Sequence, residues 1–227
     1  MRSVIRFVLI SLFVFSSAVF GAPMKKGEVE VRLLAERIPK NLGKILLATK
    51  EARSDPFDLP MNNLSKPQKP PARLFSIWSV DRNASIATVK LPEDGKSFII
   101  LLLPDSKPGY KPVIIPFRDP NFRAGDIYFY NNANKPVMGV LGTTKFSLNP
   151  NSGKVVRPRG FGNERYYHAI LGVREGTKNK VIKSMKWPSS KITRNYVFFY
   201  VDPVRKRITY RAVDEFIMPR KDADDGS

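Results

Sequence analysis

The chain has 227 residues, 39 Lys and Arg against 20 Asp and Glu, one histidine and no cysteine. A formal net charge of +19 attracts polyanions and anionic surfaces and works against cationic partners. The lack of cysteine excludes thiolate nucleophiles, Cys-based metal sites and disulfides, so the fold relies on its apolar core.

Arg2 and Arg6 precede an apolar run, Phe7 to Phe20, broken only by serines and followed by Gly21 and Pro23. A positive start, a short apolar stretch and a small residue predict a secretory signal peptide over residues 1–21. The run is shorter than the ~20 residues that span a bilayer, so no transmembrane span is expected after cleavage. The protein is expected to be exported, whether periplasmic, cell-surface or secreted.

Beyond the leader the chain reads as strands and turns. Glu28 to Ala35 alternates Val29, Val31 and Leu33 against Glu30 and Arg32, the pattern of a half-buried strand. Lys44 to Lys50 is a second strand. Ser54 to Arg73 is punctuated by five prolines, which remove ladder donors and forbid helix, so it reads as a long ordered loop or edge crossing. Leu74 to Val80, Ser85 to Leu91 and Ser97 to Leu103 are further strands. The last carries F-I-I-L-L-L, apolar on both faces, and is expected to be central.

Arg123 to Pro158 is the densest stretch. Ile127 and Phe129 alternate with Tyr128 and Tyr130; Asn131 to Asn134 suits a turn; Pro136 to Leu141 resumes a strand. Asn149-Pro150-Asn151-Ser152-Gly153 is a second turn signal, and Lys154 to Arg157 a third strand. Tyr166 to Val173, Val181 to Trp187, Asn195 to Asp202 and Arg207 to Val213 complete an all-β reading, an antiparallel β-sandwich with no segment of helical periodicity.

F-I-I-L-L-L-P-D from Phe98 is echoed by Y-V-F-F-Y-V-D-P from Tyr196, each followed by a basic loop, a Tyr, another strand and a Phe, Phe117 or Phe216. This echo predicts two tandem sandwiches, at 24–118 and 119–218, with 219–227 a disordered tail.

Catalytic signatures are sparse. His168 alone, with no D-x-D or H-x-x-E spacing around it, does not make a zinc site. No G-x-S-x-G elbow or Gly-rich phosphate cradle is present. Glu93-Asp94 and Asp214-Glu215 read as turn and strand-end acids; only two carboxylates brought together by the fold could run glycoside hydrolysis. A non-catalytic protein without cofactor or metal is expected.

Charge is the positive signal. Lys145 to Arg211 holds sixteen Lys and Arg against three acids. Arg157, Arg159, Lys183, Lys186, Arg205, Lys206 and Arg207, read as lying in loops or near strand ends, are the candidate anion-binding residues. Tyr128, Tyr130 and Trp187 are candidate aromatic contacts, although such rings more often pack in the core. The expected partners are an anionic polysaccharide, an anionic membrane surface or an envelope protein. Nucleic acid is not expected, because no DNA- or RNA-binding motif accompanies the charge.

N-N-A-N-K-P-V-M-G-V-L-G followed by L-N-P-N-S-G-K-V-V-R-P resembles the strand-and-turn style of immunoglobulin-like domains in exported bacterial proteins, over Asp119 to Phe216. That resemblance implies a β-sandwich and carries no functional residues. Three readings follow: an exported protein binding an anionic envelope polymer or partner, a carbohydrate-active or polysaccharide-modifying accessory protein, and an assembly component pairing through a sheet edge.

Overall fold

The computed structural model describes residues 29–105 and 109–217. The expected leader at 1–21 and tail at 219–227 lie outside them. The described residues are all-β, fourteen strands with no helix. In the first half these are β1 (Glu30–Ala35), β2 (Ile45–Ala48), β3 (Leu74–Ser79), β4 (Ala84–Lys90), β5 (Ser97–Pro104) and β6 (Tyr110–Pro116). The second half holds β7 (Ile127–Asn131), β8 (Val137–Leu141), β9 (Thr144–Leu148), β10 (Ser152–Val156), β11 (Tyr166–Glu175), β12 (Lys178–Pro188), β13 (Thr193–Val201) and β14 (Ile208–Phe216).

They form four sheets, ordered β1-β5-β6, β2-β3-β4, β10-β7-β13-β14 and β12-β11-β8-β9. Strand periodicity sets how these stack. Phe98, Ile100 and Leu102 of β5 point into a core shared with β2, β3 and β4. Ile99, Leu101 and Leu103 of the same strand point the other way, against Tyr196 and Phe198 of β13. Val197 and Phe199 of β13 then face a third core with Phe146, Leu171 and Trp187. The sheets are therefore layered β2-β3-β4, β1-β5-β6, β10-β7-β13-β14, β12-β11-β8-β9. Both middle sheets are covered on both faces, which is why β5 and β13 read as continuous apolar runs.

The two halves repeat one pairing diagram. β1 runs parallel to β5 and β7 parallel to β13, and each central strand then pairs antiparallel with its successor. The meander β2-β3-β4 matches β8-β11-β12, with a register shift at Ile77/Trp78 in one and Leu171/Gly172 in the other. In the second half β9 and β10 flank β8 and β7. In the first, the proline-rich stretch takes the same places through isolated bridges, Arg53 and Phe57 to β2 and Gln68 to β1. The prolines cut two strands down to single bridges by removing ladder donors.

One hairpin departs from the sequence reading. Val137–Leu141 and Thr144–Leu148 are two antiparallel strands joined at Gly142-Thr143. Gly142 adopts φ 59°, and a Cβ there would stand 1.9 Å from the Arg159 carbonyl oxygen. Only glycine fits both the left-handed backbone and the close approach.

Candidate anion-binding site

The β13–β14 connection is built by Asp202. Its Oδ1 accepts from the Val204 and Arg205 backbone N–H groups at 2.8 and 3.0 Å. Those bonds hold the Asp202 carboxyl below its ordinary range. The Lys206 N–H donates to the Asp202 carbonyl at 2.9 Å, with Lys206 in the left-handed region at φ 54°. A closed turn thus presents Arg205, Lys206 and Arg207, all exposed, on fixed backbone.

Beside the turn lies a cleft of about 560 Å³ whose lining includes Lys135, Glu175, Lys180, Asp202 and Arg205. Glu175 is already engaged, 3.2 Å from Lys135 Nζ and 3.9 Å from Lys180 Nζ. Asp202 is committed to the turn backbone. Among the described residues, no carboxylate makes a direct ion pair with Arg205, Lys206 or Arg207, although the Asp202 charge acts on Arg205 at longer range.

The cleft brings two carboxylates, Glu175 and Asp202, together, and both are occupied, Glu175 by the Lys135 and Lys180 ammonium groups and Asp202 by the turn backbone. Asp214 and Glu215 are likewise occupied: Asp214 accepts from the Asn195 side-chain amide and Glu215 is ion-paired with Arg194.

The other candidate cations do not join the turn. Arg157 makes a bidentate pair with Asp126, Nε–Oδ1 at 2.6 Å and Nη2–Oδ2 at 2.7 Å, and Asp126 is 1% exposed. The aspartate raises the Arg157 pKa and fixes the guanidinium to the fold. The carbonyl of Arg159 accepts from the Thr143 N–H at 2.8 Å, which places it by the β8–β9 hairpin at the opposite end of the sandwich. Lys183 and Lys186 are exposed within β12, Lys183 in mid-strand because β12 starts at Lys178 and Lys186 near its end. Lys186 faces His168 across the ladder. Six residues separate Lys180 from Lys186, roughly 20 Å of strand. The basic candidates therefore form two groups at opposite ends of the β12-containing sheet, with Lys183 between them.

The candidate aromatics lie inside. Tyr130 is 4% exposed between the middle sheets, and Trp187 is 6% exposed in the core beneath β11. Tyr128 packs beside Tyr130, and burial pushes its phenol up to about 12. Tyr128 and Tyr130 lie on β7 beside β13, and Trp187 on β12 opposite Tyr167 of β11; Tyr130 and Trp187 are walls between layers, and Tyr128 is half-buried. His168 Nε2 lies 3.0 Å from Ser184 Oγ on the exposed sheet face.

Sequence reasoning did not single out Lys135, and marked Lys180 only as one of a basic pair with Lys178, not as part of the site. Lys135 and Lys180 lie 70 and 25 residues before Arg205 in sequence, and only the pairing of the two hairpin ends brings them to it. No protein-family model matches the chain, and no curated protein matches it.

Proposed function

We propose that this is an exported, non-catalytic protein of tandem immunoglobulin-like sandwiches that holds an anionic envelope polymer at the basic end of its second sandwich. The observation that carries this reading is the Asp202-built turn, where three consecutive exposed cations make no direct ion pair among the described residues, Arg205 feeling the Asp202 carboxylate only at longer range. A rigid turn lowers the ordering cost of binding. Lys180 and Lys135 extend the positive field along the cleft, although Glu175 offsets part of it. The repeated pairing diagram supports the tandem reading, and the charged start and apolar run at residues 2–20 support export.

The test is a salt titration of binding to heparin, an acidic polysaccharide. Exposed charges are screened over about 8 Å at physiological ionic strength, so binding should be strong at low salt and fall steeply as salt rises. Salt-insensitive binding, or none at low salt, would count against the reading.

Assembly through a sheet edge is the second reading, favoured by β12. It is an eleven-residue edge strand of its sheet. Its lysines at 178, 180, 183 and 186 oppose pairing with another copy, because like charges meet and edge lysines discourage strand addition. This reading predicts that the unsubstituted chain self-associates once salt screens these lysines, and more so when they are changed to Ser; a chain that stays monomeric at high salt would count against it.

A further inference from the structure

The outer face of the β12-β11-β8-β9 sheet carries a second concavity that the basic turn does not use. Its cross-strand rows follow from the register. Ser147, Met138, Gly172 and Val181 form one row across β9, β8, β11 and β12, and Lys145, Val140, Ile170 and Ser184 form the next. Gly172 has no side chain on this face; a Cβ there would press on the Lys180 carbonyl oxygen at 3.0 Å and meet the Met138 side chain at 3.8 Å. The face holds a depression of about 540 Å³ with an apolar floor of Met138, Val140, Ile170 and Val181. Val181 is 61% exposed. Around the rim stand Lys145, Lys154, Arg174 and Lys180, and no carboxylate lines it. Among the described residues, only Lys180 of these four has an acidic partner, Glu175 at 3.9 Å.

We infer that this depression binds a single-chain anionic lipid, its acyl chain across the floor and its carboxylate or phosphate head on the cationic rim. The chemistry of the floor selects the chain. β8 and β11 are interior strands whose backbone groups are already used in ladders on both sides. A peptide laid across them would find no backbone partners and would leave its own polar groups unpaired, whereas a hydrocarbon chain has none to satisfy. A sugar would want an aromatic platform, but the only ring lining the depression, Phe146, is 6% exposed and turned into the core. The floor spans three strands, β8, β11 and β12, at ~4.8 Å spacing, about 10 Å across, and Met138 supplies an adaptable surface for a chain of varying length. Charge complementarity selects the head.

Lys180 and Val181 line both this depression and the cleft beside the turn, but Arg205, Lys206 and Arg207 do not line the depression and Lys145 and Lys154 do not line the cleft, so variants at those positions let heparin retention and lipid binding fail independently. The experiment is titration calorimetry of the full-length chain with dodecanoate below its micelle concentration. Butanoate (head without chain) and dodecyl maltoside (chain without charge) are run beside it. Dodecanoate should bind at least tenfold more tightly than either. Val181→Asp should weaken it tenfold or more, and so should Lys145→Gln with Lys154→Gln. All three positions are exposed, and unchanged melting temperatures would confirm that the variants fold. Equal binding of butanoate would show a charge effect alone and overturn the inference. So would undiminished binding by either variant, or association with anionic phospholipid vesicles but not with monomeric dodecanoate.

Discussion

Arg194 and Glu215 form a bidentate ion pair almost out of reach of solvent, Nε–Oε2 at 2.5 Å and Nη2–Oε1 at 3.2 Å, with side chains 4% and 10% exposed. The remaining Arg194 donors reach the Phe122 and Phe117 carbonyls, each at 3.1 Å, and the guanidinium lies over both rings. The Tyr196 hydroxyl donates to Glu215 Oε2 at 2.6 Å. One residue pair thus ties the segment between the two halves to β13 and β14. Removing one member of such a pair strands a buried charge, at a cost of about 3–5 kcal/mol. Glu215→Ala should therefore lower the unfolding free energy by about that much in urea titrations. Replacing both, Arg194→Met with Glu215→Leu, should cost less than the sum of the single changes. Additive losses would show that the pair does not act as a unit.

Glu36 marks the second tie between the halves and makes a prediction in pH. Its side chain is 1% exposed. Asn132 Nδ2 donates to Oε2 at 3.2 Å, and Arg37 Nη2 stands 3.4 Å from Oε1. Arg211 reaches the Glu36 carbonyl at 2.6 Å and also holds Met61 and Asn62. Burial raises the Glu36 pKa above the ordinary 4.5, against the lowering pull of Asn132, Arg37 and Arg211. The folded state therefore binds the proton more tightly than the unfolded state. This group's contribution is most favourable below pH 4.5 and is lost as pH rises through the elevated native value. Glu36→Gln should flatten that fall and raise the melting temperature at pH 7 relative to wild type. A wild-type and variant pair with parallel stability-against-pH curves would refute the assignment.

Gly142 offers a test of the β8–β9 hairpin. Its left-handed backbone costs a non-glycine residue about 1–3 kcal/mol, and the Arg159 carbonyl leaves no room for a Cβ. Gly142→Ala should lower stability by at least that range in thermal melts. A neutral substitution would mean the hairpin closes in another way.

Much of the strand pattern was legible because alternation is a local property. Val29 to Leu33, Leu74 to Val80 and Tyr166 to Val173 each announce a half-buried strand, and the doubly apolar β5 announces a strand covered on both sides. The Phe98–Tyr196 echo reflects equivalent strands, since β5 and β13 hold the same place in their sheets. The Gly142 turn was missed because Gly-Thr is a weak turn signal and its need for glycine comes from Arg159, seventeen residues on. The basic site was half legible. Arg205-Lys206-Arg207 stands out in the chain, but the partner of Arg157 is Asp126, thirty-one residues away, and no local pattern shows that its charge is taken.

That difference separates Arg157 from the turn. Arg157→Gln would strip a buried carboxylate of two charged hydrogen bonds, which are worth about 1.5–3 kcal/mol apiece. It should lower the unfolding free energy measurably in urea titrations. Its elution from heparin should stay close to that of wild type. Normal stability with lost retention would assign it to the binding surface instead.

The most direct measurement is the salt concentration at which the full-length chain elutes from heparin when charge is reversed at each end of the sheets in the second half of the chain. Arg205→Glu, Lys206→Glu and Arg207→Glu together should abolish retention at low salt with no change in melting temperature. Arg159→Glu with Lys186→Glu, roughly 20 Å away along the strands, should shift elution only slightly. If the triple reversal eluted with wild type, or the far-end reversal removed retention as fully, binding through the Asp202-built turn would be contradicted.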